Sequence, residues 1–172
     1  MKTIGFIGLG RMGQLMAANL AKEGFAVHSF DLNGSGSCAS AREAAVGAEV
    51  LITMLPDGEA VREAVLEAMP ALRPGAVVID MSSSDPAATR ALGTALNARG
   101  VSLVDAPVSG AMAKARDATL AIMAGGTADV VERIKPILKT MGNQIFHVGP
   151  LGAGHAVKAL NNYLGAAGTL AG

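Results

Sequence analysis

Short runs of apolar residues alternate with longer amphipathic stretches along most of the chain. Several of the short runs are continuous rather than strictly alternating, which is typical of strands covered on both faces. They predict strands at residues 3–8, 25–31, 50–55, 76–81, 101–106, 119–124 and 144–149. The longer stretches predict helices at residues 12–23, 39–45, 57–69, 86–98 and 128–141. Strands that alternate with helices form βαβ units, so the pattern predicts an α/β fold with a doubly wound, mostly parallel sheet.

Glycine and proline residues mark several of the predicted helix ends. Gly24 and Gly100 each follow a helical stretch, where a residue in the left-handed region commonly ends a helix. Ser84 or Asp85 comes directly before Pro86, which is the order of an N-cap residue and a proline at the first helical position. These residues support the boundaries that the apolar pattern predicts.

Residues 155–172 form a different kind of segment. Lys158 is the only charged residue in it, and most of the rest are Ala, Leu, Gly and Asn. At about 1.5 Å per residue the segment predicts a helix of roughly 25 Å, and a helix that is apolar nearly all round is normally buried. We therefore expect the chain to be incomplete and a helical domain or a second subunit to cover this helix. The alternative is a frayed C-terminal tail.

The composition argues against several classes of protein. The chain has 172 residues, which is the length of about one domain. Its 14 basic and 14 acidic residues give no net charge, which argues against nucleic-acid binding. There is no apolar run of about 18 residues to predict a membrane span, and residues 4–9 are too short for a secretory signal.

The cysteine and histidine content points to a protein without disulfides or a metal site. Cys38 is the only cysteine, so no internal disulfide can form. The three histidines are widely spread along the chain and make a poor set of metal ligands. We therefore expect a protein of the reducing cytoplasm that holds no metal.

A glycine-rich turn joins the first predicted strand to the first predicted helix. The sequence GLGRMG at residues 8–13 has the spacing G-x-G-x-x-G. In this motif Gly8 permits a tight turn, Gly10 lets the backbone approach a pyrophosphate, and Gly13 lets the helix pack close to the strand. The backbone N–H groups of Gly10, Arg11 and Met12 would face the phosphates. The motif predicts a Rossmann-type dinucleotide-binding domain.

An acidic residue ends the second predicted strand. Asp31 lies 18 residues after Gly13, where a carboxylate can accept hydrogen bonds from the ribose hydroxyls of NAD. The same carboxylate would repel the 2′-phosphate of NADP, and no arginine follows it directly. We therefore expect NAD as the cofactor, with NADP the less favoured alternative. Another interpretation is a surface aspartate that starts a turn with Asn33 and Gly34.

Five segments resemble, in the same order, those of the β-hydroxyacid dehydrogenase family. This family includes 3-hydroxyisobutyrate dehydrogenase and tartronate semialdehyde reductase, and it is related to 6-phosphogluconate dehydrogenase. The segments are IGLGRMGQLMAANLAKEG (7–24), TMLPD (53–57), IDMSSSDP (79–86), DAPVSGAMAKARDATL (105–120) and GPLGAGHAVKALNN (149–162).

The resemblance implies which residues meet the cofactor and carry out the chemistry. Leu55 and Pro56 lie at a turn expected to pass the cofactor, and Ser83 takes a cofactor-contacting position that is usually threonine. Lys158 is implied to be the general acid and base in reversible hydride transfer between NAD and the β-hydroxyl of a short hydroxy acid. Asn162 lies four residues on, on the same helical face, and would bind the substrate or orient the lysine. From the residues alone, the alternative for Lys158 is an ordinary solvated lysine.

The fourth segment implies a site for the substrate carboxylate, formed by Ser109 and the backbone N–H groups of Gly110 and Ala111. Without the resemblance these residues would be interpreted as a plain turn. The chain departs from the family pattern here, because the family typically has two glycines after the serine and a glycine at position 118. The methyl group of Ala111 narrows the pocket or constrains the turn, so the identity of the substrate stays open.

In the family, a C-terminal helical domain closes the active site and mediates dimerisation. The resemblance therefore implies a dinucleotide-binding domain at residues 1–152, the start of an interdomain helix at residues 153–172, and a homo-oligomer that assembles through the helical region. The expected substrate is a small hydroxy acid or semialdehyde. As a fragment, this chain could bind cofactor without catalysing any reaction.

Two alternative functions share the predicted fold. An imine reductase has the same glycine motif, and a non-catalytic binding module can keep the dinucleotide fold for partner recognition. Relatives of both kinds lack the lysine, so Lys158 argues for the dehydrogenase. Among the remaining candidates, His155 is expected to pack near the start of the last helix, His147 to be a core histidine with its hydrogen bonds satisfied, and Cys38 to be inert.

Overall fold

The computed structural model describes residues 2–170, with side-chain surroundings through residue 166. The first part of the chain alternates between strands and α-helices, with one short 3₁₀ helix (Met69–Ala71) directly after α3. These elements are β1 (Thr3–Ile7), α1 (Gly13–Lys22), β2 (Ala26–Phe30), α2 (Ala41–Ala44), β3 (Val50–Thr53), α3 (Gly58–Ala68), β4 (Val77–Asp80), α4 (Pro86–Asn97) and β5 (Ser102–Asp105). Each lies within a predicted range, because apolar runs bounded by glycine, proline and aspartate define strands of this kind well.

The second part of the chain contains two short elements that the apolar pattern does not predict. Its elements are β6 (Val108–Ser109), α5 (Met112–Arg116), β7 (Leu120–Gly125), α6 (Ala128–Leu138), β8 (Gly142–Gly149) and α7 (Ala153–Leu170). The unpredicted elements are β6 and α5, which span two and five residues. Segments this short carry no periodic signal.

The strands of the described chain form one sheet in the order β2-β1-β3-β4-β5-β7-β6, with β8 paired to β7. The pairs from β2 to β5 are parallel, and so is the pair of β7 with β8. The antiparallel contacts are those that β7 makes with β5 and with β6. The expected mostly parallel sheet is therefore confirmed, and its order reverses at β1, which lies between β2 and β3.

Both faces of the sheet are covered by helices. Ile52 and Ile79 belong to one core cluster, together with residues of α1 and α6. Their neighbours Leu51 and Val78 belong to a second cluster, together with residues of α3 and α4. Successive residues of a strand thus enter opposite cores, which explains the continuous apolar runs and confirms the doubly wound fold.

Helix boundaries follow the predicted capping residues. Asp85 is the N-cap of α4, where its carboxylate accepts a hydrogen bond of 2.8 Å from the N–H of Ala88, and Pro86 begins the helix. Gly24 and Gly100 have φ angles of 88° and 72°. These positive angles are where glycine ends a helix at no steric cost.

The last helix has an exposed outer surface in this chain. Leu160, Tyr163 and Leu164 are 58%, 71% and 61% exposed, so the expected covering of the helix is not provided by the rest of the described chain. Residues 171 and 172, the end of the predicted range, lie outside the described residues. None of the described helices combines the length and the apolarity needed to cross a membrane.

Candidate functional site

The glycine turn between β1 and α1 combines two tightly packed glycines with one open glycine. Gly8 has a φ of 99°, and a side chain there would collide with the carbonyl of Met54. A side chain at Gly13 would collide with the carbonyl of Gly8. At Gly10, by contrast, an added Cβ atom would meet no heavy atom within 4 Å. The packing of the protein explains the first two glycines, whereas the open space at Gly10 fits the close approach of a ligand.

The start of α1 offers backbone donors to this open space. Within the described chain, the N–H groups of Gly10, Arg11 and Met12 donate to no protein acceptor, and the N-cap residue Met12 makes no side-chain hydrogen bond. Unpaired N–H groups at a helix start attract anions. The turn therefore fits the pyrophosphate of a dinucleotide.

Asp31 lies directly beside the glycine turn. One of its carboxylate oxygens accepts a hydrogen bond of 2.6 Å from the N–H of Leu9, and the other accepts one of 2.9 Å from the N–H of Asn33. These bonds orient the carboxylate, and each oxygen keeps a lone pair for a ligand hydroxyl. The bond from Asn33 also shows that Asp31 starts a turn, which was the alternative interpretation of this residue.

One cavity of about 320 Å³ joins the glycine turn, Asp31 and the loop after β3. A second cavity of about 250 Å³ adjoins it on the side of α3. The first cavity is lined by eight predicted cofactor residues together with Met54, which was not predicted; the eight are Gly8, Gly10, Arg11, Met12, Gly13, Asp31, Leu55 and Pro56. Ser83, the ninth predicted cofactor residue, is exposed in the loop after β4 and is not part of this lining.

The second cavity has apolar walls and an acidic rim. Phe30, Leu55 and Pro56 line it, and so do the acidic residues Glu63 and Glu67 on α3. An apolar slot beside a carboxylate that can bind ribose hydroxyls suits a flat aromatic base. The two acidic residues and Asp31 together give this cavity a negatively charged side.

A buried polar cluster lies below the loops that follow β3 and β4. Asp80 accepts hydrogen bonds from the Thr53 hydroxyl at 2.9 Å, the Ser82 N–H at 3.0 Å and the Ser84 hydroxyl at 2.8 Å. The Ser82 hydroxyl in turn accepts a bond of 2.9 Å from the N–H of Leu55. Sequence reasoning missed this cluster, although an aspartate at the end of a fully apolar strand was a signal for it.

Asp105, at the end of β5, holds the start of α7. Its carboxylate accepts the N–H groups of Gly152 at 2.7 Å and His155 at 2.8 Å. Burial raises the pKa of the Asp105 carboxyl above its ordinary value, while the two N–H groups lower it. His155 is 1% exposed, and its ring contacts Thr89 and Ser82. The expectation that His155 packs near the helix start is confirmed.

Lys158 lies on α7, one turn after His155, and is partly buried. Burial lowers the pKa of its ammonium group below the ordinary value of 10.5. Asn162 lies one further turn along the helix and is exposed. Neither residue lines the cavity at the glycine turn, so the catalytic roles implied for them stay predictions.

The predicted carboxylate site lies at the end of β6. Ser109 is half-buried, Gly110 has a φ of 140°, and Ala111 is the exposed residue that precedes α5. Position 118, where the family has glycine, holds an alanine with a φ of 55°. Ala118 is the one non-glycine residue of the described chain with a positive φ, which shows why a glycine suits this turn.

Two other predicted residues lie away from these cavities. His147 is exposed, so the expectation of a core position is wrong, although its Nε2 atom lies 2.8 Å from the Gly126 carbonyl oxygen. It lies among the exposed residues of β8. Cys38 is half-buried and 3.8 Å from the Ser37 hydroxyl. Among the described residues, no group of His, Cys, Asp and Glu side chains could hold a metal ion.

The sequence of this chain matches a known family of protein domains. The family model of the NAD binding domain of 6-phosphogluconate dehydrogenase matches residues 3–149. The chain belongs to this family of NAD-binding domains. The assignment of NAD as cofactor is thereby confirmed. Relatives that are named 3-hydroxyisobutyrate dehydrogenases confirm the predicted resemblance to the β-hydroxyacid dehydrogenases.

Individual relatives share both the sequence and the fold of this NAD-binding domain. An NAD-dependent L-serine dehydrogenase from Pseudomonas aeruginosa is 41% identical over 95% of this chain and 59% of its own length. A structure of Mycobacterium tuberculosis 3-hydroxyisobutyrate dehydrogenase with L-serine is 39% identical, with a TM-score of 0.92 over 95% of this chain and 60% of the other. The chain thus spans about 60% of the length of these relatives.

The imine reductases share the fold of this NAD-binding domain at much lower identity. The V8 variant of the enzyme from Myxococcus stipitatus in complex with NAD+ has a TM-score of 0.89 at 21% identity, over 99% of this chain and 62% of the other. At this identity the likeness concerns the fold alone. It gives no support to imine reduction over hydroxy-acid chemistry.

Proposed function

We propose that this protein is an NAD-dependent oxidoreductase of the β-hydroxyacid dehydrogenase type. The observation that carries the proposal is the open glycine turn beside Asp31, which offers N–H donors and a carboxylate to one cavity. The sequence identity of about 40% to an L-serine dehydrogenase and to a 3-hydroxyisobutyrate dehydrogenase supports the same class of reaction.

When bound, NAD would accept the hydride that leaves the substrate. In the proposed arrangement the N–H groups of Gly10, Arg11 and Met12 hold the pyrophosphate, and Asp31 holds the ribose hydroxyls of the adenosine. Leu55 and Pro56 pass along the cofactor, and Ser83 contacts it from the loop after β4. The acidic residues Glu63 and Glu67, which line the adjoining cavity, favour NAD over NADP because they add negative charge near the ribose.

Lys158 is the proposed general acid and base. Its pKa is lowered by burial, so more of the neutral amine is present near neutral pH than for a solvated lysine. The neutral amine would take the hydroxyl proton during oxidation, and the ammonium would return a proton to the carbonyl oxygen during reduction. Asn162, which lies one turn along the same helical face, would hydrogen-bond the substrate or orient the lysine.

The proposed substrates are short acids with a hydroxyl on the β-carbon, or the corresponding semialdehydes. L-serine and 3-hydroxyisobutyrate, named in the relatives, both carry a hydroxymethyl group on the carbon next to the carboxylate. Ser109 and the N–H groups of Gly110 and Ala111 would bind that carboxylate. We also propose that the protein forms a homo-oligomer, because α7 exposes large apolar side chains. A location in the reducing cytoplasm fits its single cysteine, which can form no internal disulfide.

Binding and turnover measurements test the proposal. The chain is titrated with NADH and with NADPH by thermal shift, and the complete gene product is assayed with NAD and a panel of β-hydroxy acids. Lys158→Ala is expected to lower kcat by about 10²- to 10⁴-fold while leaving NADH affinity nearly unchanged. Lys139→Ala, which removes an exposed lysine after α6, is the matched control. Normal turnover by Lys158→Ala would refute the role of the lysine.

A further inference from the structure

Three polar residues form a buried row across the carboxyl ends of β3, β4 and β5. Thr53 is the register partner of Asp80, and Asp80 is the partner of Asp105. All three residues are at most 2% exposed, although the preceding residue of each strand is apolar. Buried carboxylates are stable only when they accept hydrogen bonds, so their partners show which segments the row holds in place.

Asp80 holds the two loops nearest the cofactor cavity. It accepts the N–H of Ser82 and the hydroxyl of Ser84, both in the loop after β4. Through the Ser82 hydroxyl, the loop after β3 is tied in as well, because the N–H of Leu55 donates to it at 2.9 Å. Leu55 lines both cavities beside the glycine turn. The position of this cavity wall therefore depends on Asp80.

Asp105 holds the first turn of α7. Its two oxygens accept the N–H groups of Gly152 and His155, which lie at the helix start and have no partner within the helix. A carboxylate supplied by a distant strand thus caps the helix that carries Lys158. The fit is close, since a side chain at Gly154 would collide with the carbonyl of Met123.

The ring of His155 lies between the two aspartates of this polar row, Asp80 and Asp105. Its Nε2 atom lies 3.2 Å from the Ser82 carbonyl oxygen, and a carbonyl only accepts, so Nε2 carries a hydrogen and donates it. Its Nδ1 atom lies 2.9 Å from the Thr89 hydroxyl on α4. The ring is wholly buried. Its Nε2 atom lies 3.5 Å from Oδ2 of Asp80, and its Nδ1 atom lies 3.8 Å from Oδ2 of Asp105.

We propose that Asp105 and His155 are positioning residues that hold Lys158 at a fixed place relative to the loops of the cofactor cavity. Lys158 follows His155 by three residues, just under one helical turn, so movement of the first turn moves the lysine. The inference rests on the proposed function, because it takes Lys158 as the acid-base group. Acid-base groups must be held closely, since a misplacement of about 1 Å can cost roughly 10²-fold in rate.

Two substitutions of His155 separate positioning from folding. His155→Leu removes the bonds to Ser82 and Thr89, whereas His155→Gln keeps an N–H donor that can reach the Ser82 carbonyl. The complete gene product with His155→Leu is expected to show kcat lowered by about 10- to 100-fold, with KM for the hydroxy acid and Kd for NADH nearly unchanged. His155→Gln is expected to regain most of the lost kcat.

Leu138→Ala serves as a control for lost stability. Leu138 is fully buried on α6, so this substitution lowers Tm without touching the polar row. Its kcat per folded molecule is expected to stay at the wild-type value. If His155→Leu also keeps the wild-type kcat, or if Leu138→Ala loses as much kcat at the same Tm, the positioning role is wrong. If Lys158→Ala keeps its turnover, the acid-base role of Lys158 fails, which is a distinct result. If the unsubstituted protein turns over no β-hydroxy acid, the proposed function itself fails.

Hydrogen exchange on the unsubstituted protein tests the anchor without any variant. The amides of Gly152 and His155 donate to a buried carboxylate, so we expect them to exchange as slowly as those of central strand residues such as Val78 and Val104. Exchange at the rate of exposed loop amides would show that α7 is not anchored at Asp105, and this would overturn the proposal even if the His155 variants did not fold.

Discussion

Substitution of Gly10 by alanine distinguishes a ligand-binding glycine from a structural one. The added methyl group meets no atom within 4 Å, and the φ of Gly10 is not among the positive angles of this chain. Stability without ligand should therefore stay constant or rise by up to about 1 kcal/mol, because alanine has fewer unfolded conformations than glycine. With NADH bound, the methyl group would occupy the space that the pyrophosphate approaches. Overpacking of this kind costs about 1–3 kcal/mol, which corresponds to a Kd weakened by roughly 5- to 150-fold.

Thermal unfolding with and without NADH measures both effects. NADH at about 100 times the wild-type Kd should stabilise the wild-type protein by about 2.7 kcal/mol, and a 100-fold weaker variant by only about 0.4 kcal/mol. Gly13→Ala is the contrasting variant, because its methyl group would collide with the Gly8 carbonyl and lower Tm without any ligand. Gly10→Ala with a wild-type shift on NADH addition would refute the reasoning, since Gly10 would then not face the cofactor.

Three further predictions concern the cofactor, the lysine and the strained turn. Asp31→Asn should weaken NADH relative to NADPH by about tenfold or more, because hydrogen bonds to a charged group contribute about 1.5–3 kcal/mol; an unchanged ratio in parallel titrations would contradict it. Burial lowers the pKa of Lys158, so hydroxy-acid oxidation should rise with pH with a midpoint below 10.5, whereas reduction should fall over the same range; flat pH–rate profiles would count against the lysine. Ala118→Gly should raise the free energy of unfolding by about 1 kcal/mol, because alanine at a φ of 55° is strained; urea denaturation measures this, and an unchanged midpoint would show no strain there.

The parallel sheet could be predicted from the sequence because each strand is an apolar run with a clear end. Strands β3 and β4 have four buried residues each, and each ends at a polar residue, Thr53 in β3 and Asp80 in β4. The loop after β4 is rich in serine and leads to Pro86. The segment between β5 and β7 could not be predicted in the same way. There β6 pairs with β7 at only two positions, and such a short strand depends on its neighbour rather than on its own residues.

The glycine turn and Asp31 could be predicted because their chemistry is local in the sequence. The motif spans residues 8–13, and the acid that it needs ends the adjacent strand. The polar row could not be predicted, since its bonds join residues far apart in the chain. His155 and Ser82 are separated by 73 residues, and His155 and Asp105 by 50. The pairing of β4 with β5 and the packing of α7 on β5 and β7 bring these groups together.

The polar row has a cost that a purely structural core would avoid. Asp80 and Asp105 are register partners on neighbouring strands, and burying two carboxylates side by side is unfavourable compared with apolar residues of similar size. The described structure offsets this cost with hydrogen bonds from the loop after β4, from α7 and from Thr53. Apolar contacts could join the same elements, but they would not set the direction of a helix start or of a loop as narrowly as bonds to a fixed carboxylate do. We therefore interpret the two aspartates as residues that exchange stability for a defined arrangement of the cofactor loops and the lysine helix.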